Sequence, residues 1–276
     1  MKRLALLAVP LFFLLYVTGA ARAQQASNAP NSAQETAASE STQPPPMTPQ
    51  QVALMRADIL MARKEYATAA DAYKQILKGD RKDSALLNKI GMAYQQIGDM
   101  HQAERYYKRA WKFDKHFSNA MNNLGTVEYG RKRYKSAIKD YRRALKVGTD
   151  LATIYSNLGF AYCGRKEYLS ATTAFSKALA IDPTIFDHRG EFGSLFLERS
   201  APDQATIYFL MARSYAKLGD AKQTAHYLKL ARDDGYKSMH SAESDPAFKR
   251  VIGDPQVQEI VRTPAPFAIA GRPARN

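Results

Sequence analysis

Apolar and small residues return along this chain with a step of 34. Ala57, Gly91, Gly125 and Gly159 fall in one column, and Ala69, Ala103, Ala137 and Ala171 in a second. Tyr73, Tyr107, Tyr141 and Phe175 make a third, and Ile76, Ala110, Ala144 and Ala178 a fourth. Columns that hold over consecutive registers without an insertion mark stacked supersecondary units. Within one copy, Leu87, Ile90, Gly91 and Tyr94 lie at i, i+3, i+4 and i+7, which is one stripe of a helix. Ala103, Tyr107 and Ala110 form a second stripe, with Gly98-Asp99 between the two as the turn. Small residues at Gly91 and Ala103 let two helices approach closely, and Tyr107 fills the space they leave beside the next pair. Each unit is therefore a helix–turn–helix whose apolar face only a neighbour can cover.

This pattern resembles the tetratricopeptide repeat (TPR), with units at 50–83, 84–117, 118–151 and 152–185. The resemblance implies an all-α fold, a right-handed α-solenoid of stacked helix–turn–helix units. Two departures stand out. The first unit carries Arg56 and Ala57 where the others have Ile or Leu followed by Gly. The loop proline usual in the family survives as Pro183, with Arg81, Lys115 and Thr149 at the other units. An off-period helical segment at 186–204, carrying Phe192, Leu195 and Phe196, leads to a degenerate fifth unit at 205–238. Asp245-Pro246 and Asp254-Pro255 are helix starts, because the carboxylate caps open amides and proline suits the first turn. Residues 239–262 are accordingly expected to supply two capping helices, ending near Ile252 and Val261, over the last repeat's exposed face. That arrangement is similar to the closing segment of many bacterial TPR proteins.

The flanks are different in kind. Lys2 and Arg3 precede an apolar run from Leu4 to Val17 and a small-x-small site at Ala21-Arg22-Ala23. This predicts a signal peptide over 1–23, with an uncleaved anchor as the alternative. The polar stretch 24–49, with Pro44-Pro45-Pro46, predicts a flexible linker, and 263–276 a loose tail. The mature protein is then exported, periplasmic or secreted, and not an integral membrane protein once the signal is removed.

The composition, 45% hydrophobic and 24% charged, is an ordinary globular mix. One cysteine, Cys163, rules out an internal disulfide and any multi-cysteine metal cluster. The five histidines lie at no helical ligand spacing, and no phosphate loop, nucleophile elbow or dinucleotide fingerprint is present. The expectation is a protein that is not an enzyme and takes no cofactor or metal.

Function is expected on the concave surface, which the first helix of each pair lines. Helical geometry places Asn88 on that side in the second unit, Asn119, Asn122, Asn123 and Tyr129 in the third, and Asn157 and Phe160 in the fourth. Asparagine is a mediocre helix former, yet its amide both donates and accepts, so a row of them suits an extended peptide backbone. The competing explanation is that Asn-Leu-Gly is retained for helix geometry alone. Lys89, beside Asn88, is placed to meet a carboxylate, and Tyr129 and Phe160 to give apolar contact.

The formal charge of +14 is uneven, and residues 50–185 carry most of it. Arg131, Lys132, Arg133, Lys135, Lys139, Arg142 and Arg143 form the richest stretch, expected on the convex side of the third unit's second helix. A solvated helix face is one reading of it, and a surface steered to an anionic envelope component the other. The expected partner is thus a protein or peptide in the groove, or an anionic envelope surface, and not nucleic acid. The oligomeric state is not encoded in any of these features.

Overall fold

The computed structural model describes residues 46–148, 151–186 and 201–263. The signal peptide expected at 1–23, the expected linker as far as residue 45, residues 187–200 of the off-period segment and the expected tail from 264 lie outside them.

The first helix, α1 (Pro49–Ala62), begins where Thr48 and Gln51 cap each other reciprocally and proline occupies the first turn. Thr48 and Pro49, assigned to the linker on composition, thus belong to the helix. Next come α2 (Tyr66–Leu77), α3 (Ser84–Ile97), α4 (Met100–Phe113), α5 (Ser118–Gly130) and α6 (Tyr134–Leu145). They are followed by α7 (Leu151–Gly164), α8 (Tyr168–Ile181), α9 (Ala201–Leu218) and α10 (Ala221–Asp233). Each helix packs on the one before and the one after, and α3 also touches α5 while α5 touches α7. The result is a stack of helix pairs, an all-α solenoid, as the period of 34 predicts. Helix α9 starts at Ala201, so the last residues of the segment read as off-period are part of it.

Inside each pair the aromatic column lies on the small-residue column. A methyl group added at Gly91 would stand 2.5 Å from Tyr107, and one at Gly125 would stand 2.7 Å from Tyr141. The tyrosine therefore covers the glycine of its own unit rather than reaching mainly toward the next pair. Tyr73, Tyr107 and Tyr141 are buried, and their hydroxyls find partners on the first helix. Tyr73 donates to Asp58 at 2.6 Å, Tyr107 donates to Gln95 at 2.8 Å, and Tyr141 meets the Thr126 hydroxyl at 3.2 Å. Burial pushes the phenols of Tyr107 and Tyr141 above their ordinary range.

The turn within each pair repeats one backbone pattern. A residue in the left-handed region is followed by an N–H that bonds the carbonyl five residues back: Asp99 to Tyr94, Arg133 to Glu128, Glu167 to Tyr162. In the second and fifth pairs that residue is Gly98 and Gly219. In the first, third and fourth it is Lys64, Lys132 and Lys166, at φ 63°, 59° and 62°. A side chain there carries a steric cost that glycine escapes. Lys132→Gly should therefore stabilise the protein by about 1 kcal/mol, read as a rise in the urea midpoint at unchanged slope. A fall in the midpoint would mean that the lysine side chain contributes more than its backbone loses.

After α10 the chain forms a four-residue helix, α11 (Ser241–Ser244), a 3-10 turn at Pro246–Phe248, and α12 (Pro255–Arg262). The first of the two expected terminal helices is thus shorter than its sequence suggests, ending in turns before Gly253. Asp254 accepts hydrogen bonds from the amides of Gln256 and Val257 at 2.9 and 3.2 Å. Asp245 accepts from the Ala247 amide at 2.9 Å and pairs with Arg213. Burial alone would raise the Asp245 carboxyl, but Arg213 and the Ala247 amide hold it below the usual carboxylate range. This contact therefore stabilises the fold at neutral pH and is lost as pH falls through the lowered value. Phe248, Val257 and Val261 are buried, and α12 lies on α10.

Candidate functional site

Helices α3, α5 and α7, expected to line the concave surface, touch one another in turn along the stack, and each packs on its own partner α4, α6 or α8. The opposite edge of each helix presents amides. These amides bond one another from unit to unit. Asn123 Nδ2 donates to Asn88 Oδ1 at 2.9 Å, and Asn157 Nδ2 donates to Asn122 Oδ1 at 3.0 Å. Both pairs span 35 residues, one repeat plus one position, so a helix uses adjacent positions to reach backward and forward along the stack. Asn88 is buried, with Nδ2 turned to the Met92 sulfur at 3.5 Å. Asn119 is exposed, while Asn122, Asn123 and Asn157 are half-buried.

Lys89 continues the same ladder one unit down. Its ammonium sits 2.6 Å from Asp58 on α1 and 5.8 Å from the Tyr73 ring centroid. The carboxylate that the sequence reading left to a partner is supplied from within the chain. Asp58 was not picked out from sequence, although its position, 31 residues before Lys89, lies within the same repeat geometry.

Two residues expected in the groove turn inward. Tyr129 is 4% exposed, its ring 5.3 Å from that of Tyr134 and edge-on to it. Phe160 is 5% exposed and meets Phe175 at 5.2 Å, and Phe175 in turn meets Phe186 at 5.4 Å. The chain leaving α8 brings Phe186 against this cluster, which a helical wheel drawn for α7 alone has no means of placing.

The basic stretch divides. Arg131, Lys132 and Arg133 form the turn between α5 and α6 rather than part of the second helix. Arg131 pairs with Glu104, donates to the Met100 carbonyl at 3.3 Å and stands 3.6 Å from Glu128. Arg133 lies 3.7 Å from Glu128, and Arg143 lies 3.3 Å from Asp140. Glu128 and Asp140 are both buried. Burial raises the Asp140 carboxyl, Arg143 opposes that rise, and Glu128 adds to it. Lys135 and Lys139 are exposed on α6, as is Lys132 in the turn. Arg142 donates to the Tyr162 hydroxyl at 2.8 Å.

Among the described residues no group of three or more His, Cys, Asp or Glu side chains could hold a metal ion. None of the described helices is long and apolar enough to cross a membrane. Cys163 is half-buried and forms no disulfide.

A tetratricopeptide repeat family matches residues 84–116, and a TPR repeat family matches residues 125–164. No curated protein sequence matches the chain significantly. Among solved structures, Pseudomonas aeruginosa PilF is 17% identical and superposes with a TM-score of 0.50, over 70% of this chain and 79% of its own. PilW, a widely conserved type IV pilus biogenesis factor, is 16% identical with a TM-score of 0.50, over 77% and 90%. MamA is 24% identical with a TM-score of 0.46, over 64% and 93%. At these identities the likeness concerns the fold. The family matches fall on the second unit and on the junction of the third and fourth, where the glycine, alanine and aromatic columns are intact. The chain thus carries tetratricopeptide repeats, and they stand within an all-helical solenoid of stacked helix pairs.

Proposed function

We propose that this protein is an exported, non-enzymatic interaction scaffold, and that it holds an extended segment of a partner along the inner face of α3, α5 and α7. The observation that supports this is the amide ladder. Once Asn123 and Asn157 have each given a hydrogen to the unit before, no described residue bonds Asn123 Oδ1, Asn157 Oδ1 or Asn122 Nδ2. Acceptors and a donor then alternate along the face, in the manner an extended backbone can use without regard to its sequence. Lys89 is occupied by Asp58 and belongs to the floor of the groove. Export rests on the amino-terminal sequence, and α11, the 3-10 turn and α12 would serve as the closing cap of the array.

A second reading keeps some support. Lys132, Lys135 and Lys139 have no carboxylate within ion-pair distance among the described residues, so a reduced basic face could meet an anionic envelope component. Salt separates the two, because exposed charges are screened and an amide groove much less so.

The test is a crosslinked pull-down from envelope extract, comparing wild type with the double variant Asn123→Ala and Asn157→Ala at low and high salt. Each substitution removes one inter-unit hydrogen bond and should cost about 1 kcal/mol of stability, so the melting curves are measured in parallel. The expected result is a partner that wild type keeps in high salt and a folded double variant loses. A partner held equally by both, and released by salt, moves the function to the basic face.

A further inference from the structure

A groove of about 410 Å³ runs along the outer side of the stack, between α6 and α8 with α7 as its floor. The same register exists at two earlier units, and there other side chains occupy it. Between α2 and α4, Tyr106 stacks on Tyr94 with centroids 5.6 Å apart, and Lys74, which also bonds the Tyr94 hydroxyl, is neutralised by Asp71 at 2.6 Å. Between α4 and α6, the corresponding positions hold Glu128 and Asp140, both buried and paired with arginines. Two repeats on from the first, Tyr94 becomes Tyr162 and Lys74 becomes Arg142, but Tyr106 becomes Ala174 and Asp71 becomes Lys139. The space that a tyrosine fills in one unit is left open in this one, and the compensating carboxylate is missing.

What remains is an apolar trough between two held cations. Tyr155, Leu158 and Tyr162 line it, and Leu169 stands at its rim, 72% exposed, where the other units carry Ala67, His101 and Lys135. On one side Arg142 is fixed by the Tyr162 hydroxyl at 2.8 Å. On the other the Lys177 ammonium sits 5.2 Å from the Tyr155 ring centroid. No carboxylate lines the trough. Both cations are exposed, and each is already steered toward the trough by one contact with a tyrosine, which lowers the ordering cost of meeting a ligand charge.

We propose that this outer groove docks a short acidic segment of a partner protein. An aromatic or aliphatic side chain would rest on Tyr155, Leu158 and Leu169, with carboxylates on Arg142 and Lys177. The reading is independent of the inner face, because none of these residues belongs to the amide ladder. The surrounding excess of positive charge would speed the encounter. A membrane surface fits less well, because an anionic bilayer would meet Lys132, Lys135 and Lys139 outside the trough and leave its floor empty.

Fluorescence anisotropy on the full chain tests this, using fluorescein-labelled hexapeptides with a central Leu-Phe flanked on each side by two Asp or Glu. Lys-flanked counterparts and phosphatidylglycerol vesicles serve as comparisons. The expected result is saturable binding of the acidic peptides and none of the Lys-flanked ones. Ala174→Tyr, which restores Tyr106, the filler of the second unit, should weaken it by about tenfold or more, as should Arg142→Ala. Leu169→Lys restores the residue of the third unit at an exposed site, so it tests the rim without a packing change. Asn123→Ala should leave the affinity unchanged. Failure of every acidic peptide to bind overturns the proposal, as does binding that Ala174→Tyr and Leu169→Lys leave intact. Vesicle binding without peptide binding overturns it in favour of a membrane surface.

Discussion

Replacing Gly125 with alanine should lower the stability of the repeat stack by about 3 kcal/mol, although alanine is the better helix former. The new methyl would stand 2.7, 2.8 and 3.0 Å from three atoms of the Tyr141 ring. That ring is buried and its hydroxyl meets Thr126, so it has nowhere to retreat. The helices would have to separate, and the units on either side would follow. Gly130→Ala provides the contrast. It lies in the same helix with nothing within 4 Å of the added carbon, and should raise stability by up to about 1 kcal/mol. Urea unfolding followed by helical circular dichroism distinguishes them. Equal effects at the two sites would show that close packing of the glycine on the ring is not what holds the pair together. The first unit already carries Ala57 at this position, packed in the cluster that holds Tyr73. Among the described residues α1 packs mainly on α2, whereas α5 packs on α3, α4, α6 and α7.

Phe248→Ala should cost about 4 kcal/mol, the range for emptying a buried aromatic site. Phe248 is fully buried, with its ring centroid 5.7 Å from Phe209, and Phe209 stacks on Tyr236 at 4.2 Å. Losing it would loosen the 3-10 turn and then α12, exposing the apolar side of α10. In a linear array each unit leans on its neighbours, so the damage should be graded with distance. Hydrogen exchange should show lost protection in α9, α10 and α12, with α3 to α6 nearly unchanged. Uniform loss along the whole chain would mean that the array unfolds as a single cooperative block.

The period of 34 made the helix pairs and the Gly98-Asp99 turn legible, because each depends on residues within one unit, but it did not show that the tyrosine is seated on its own unit's glycine. Asp254 could be read as a cap for the same reason, since its partners lie two and three residues away. The inner face was legible in composition and not in its bonding. A helical wheel gives the direction of Asn123 but not what arrives from that direction, which is Asn88 of the preceding unit. Lys89 went unpaired in sequence because Asp58 lies on another helix. Tyr129 and Phe160 were misplaced because aromatic rings at the edge of a helix turn toward whatever covers them, here Tyr134 and Phe175. Arg131 and Arg133 were counted as a surface because a run of charge looks alike in a helix and in a turn. Their partners, Glu104 and Glu128, sit on the two preceding helices.

The hydrogen bonds from Asn123 to Asn88 and from Asn157 to Asn122 also set how the array responds to load. They run across the seams between units, along the side that opens first when the coil is pulled straight. Extension would then load these amide ties, which join units, more directly than the tyrosines, which are seated on glycines of their own unit. A bound strand that took over one of those amides would exchange a tie between units for a tie to itself. It would alter the pitch of the coil while each helix pair kept its form.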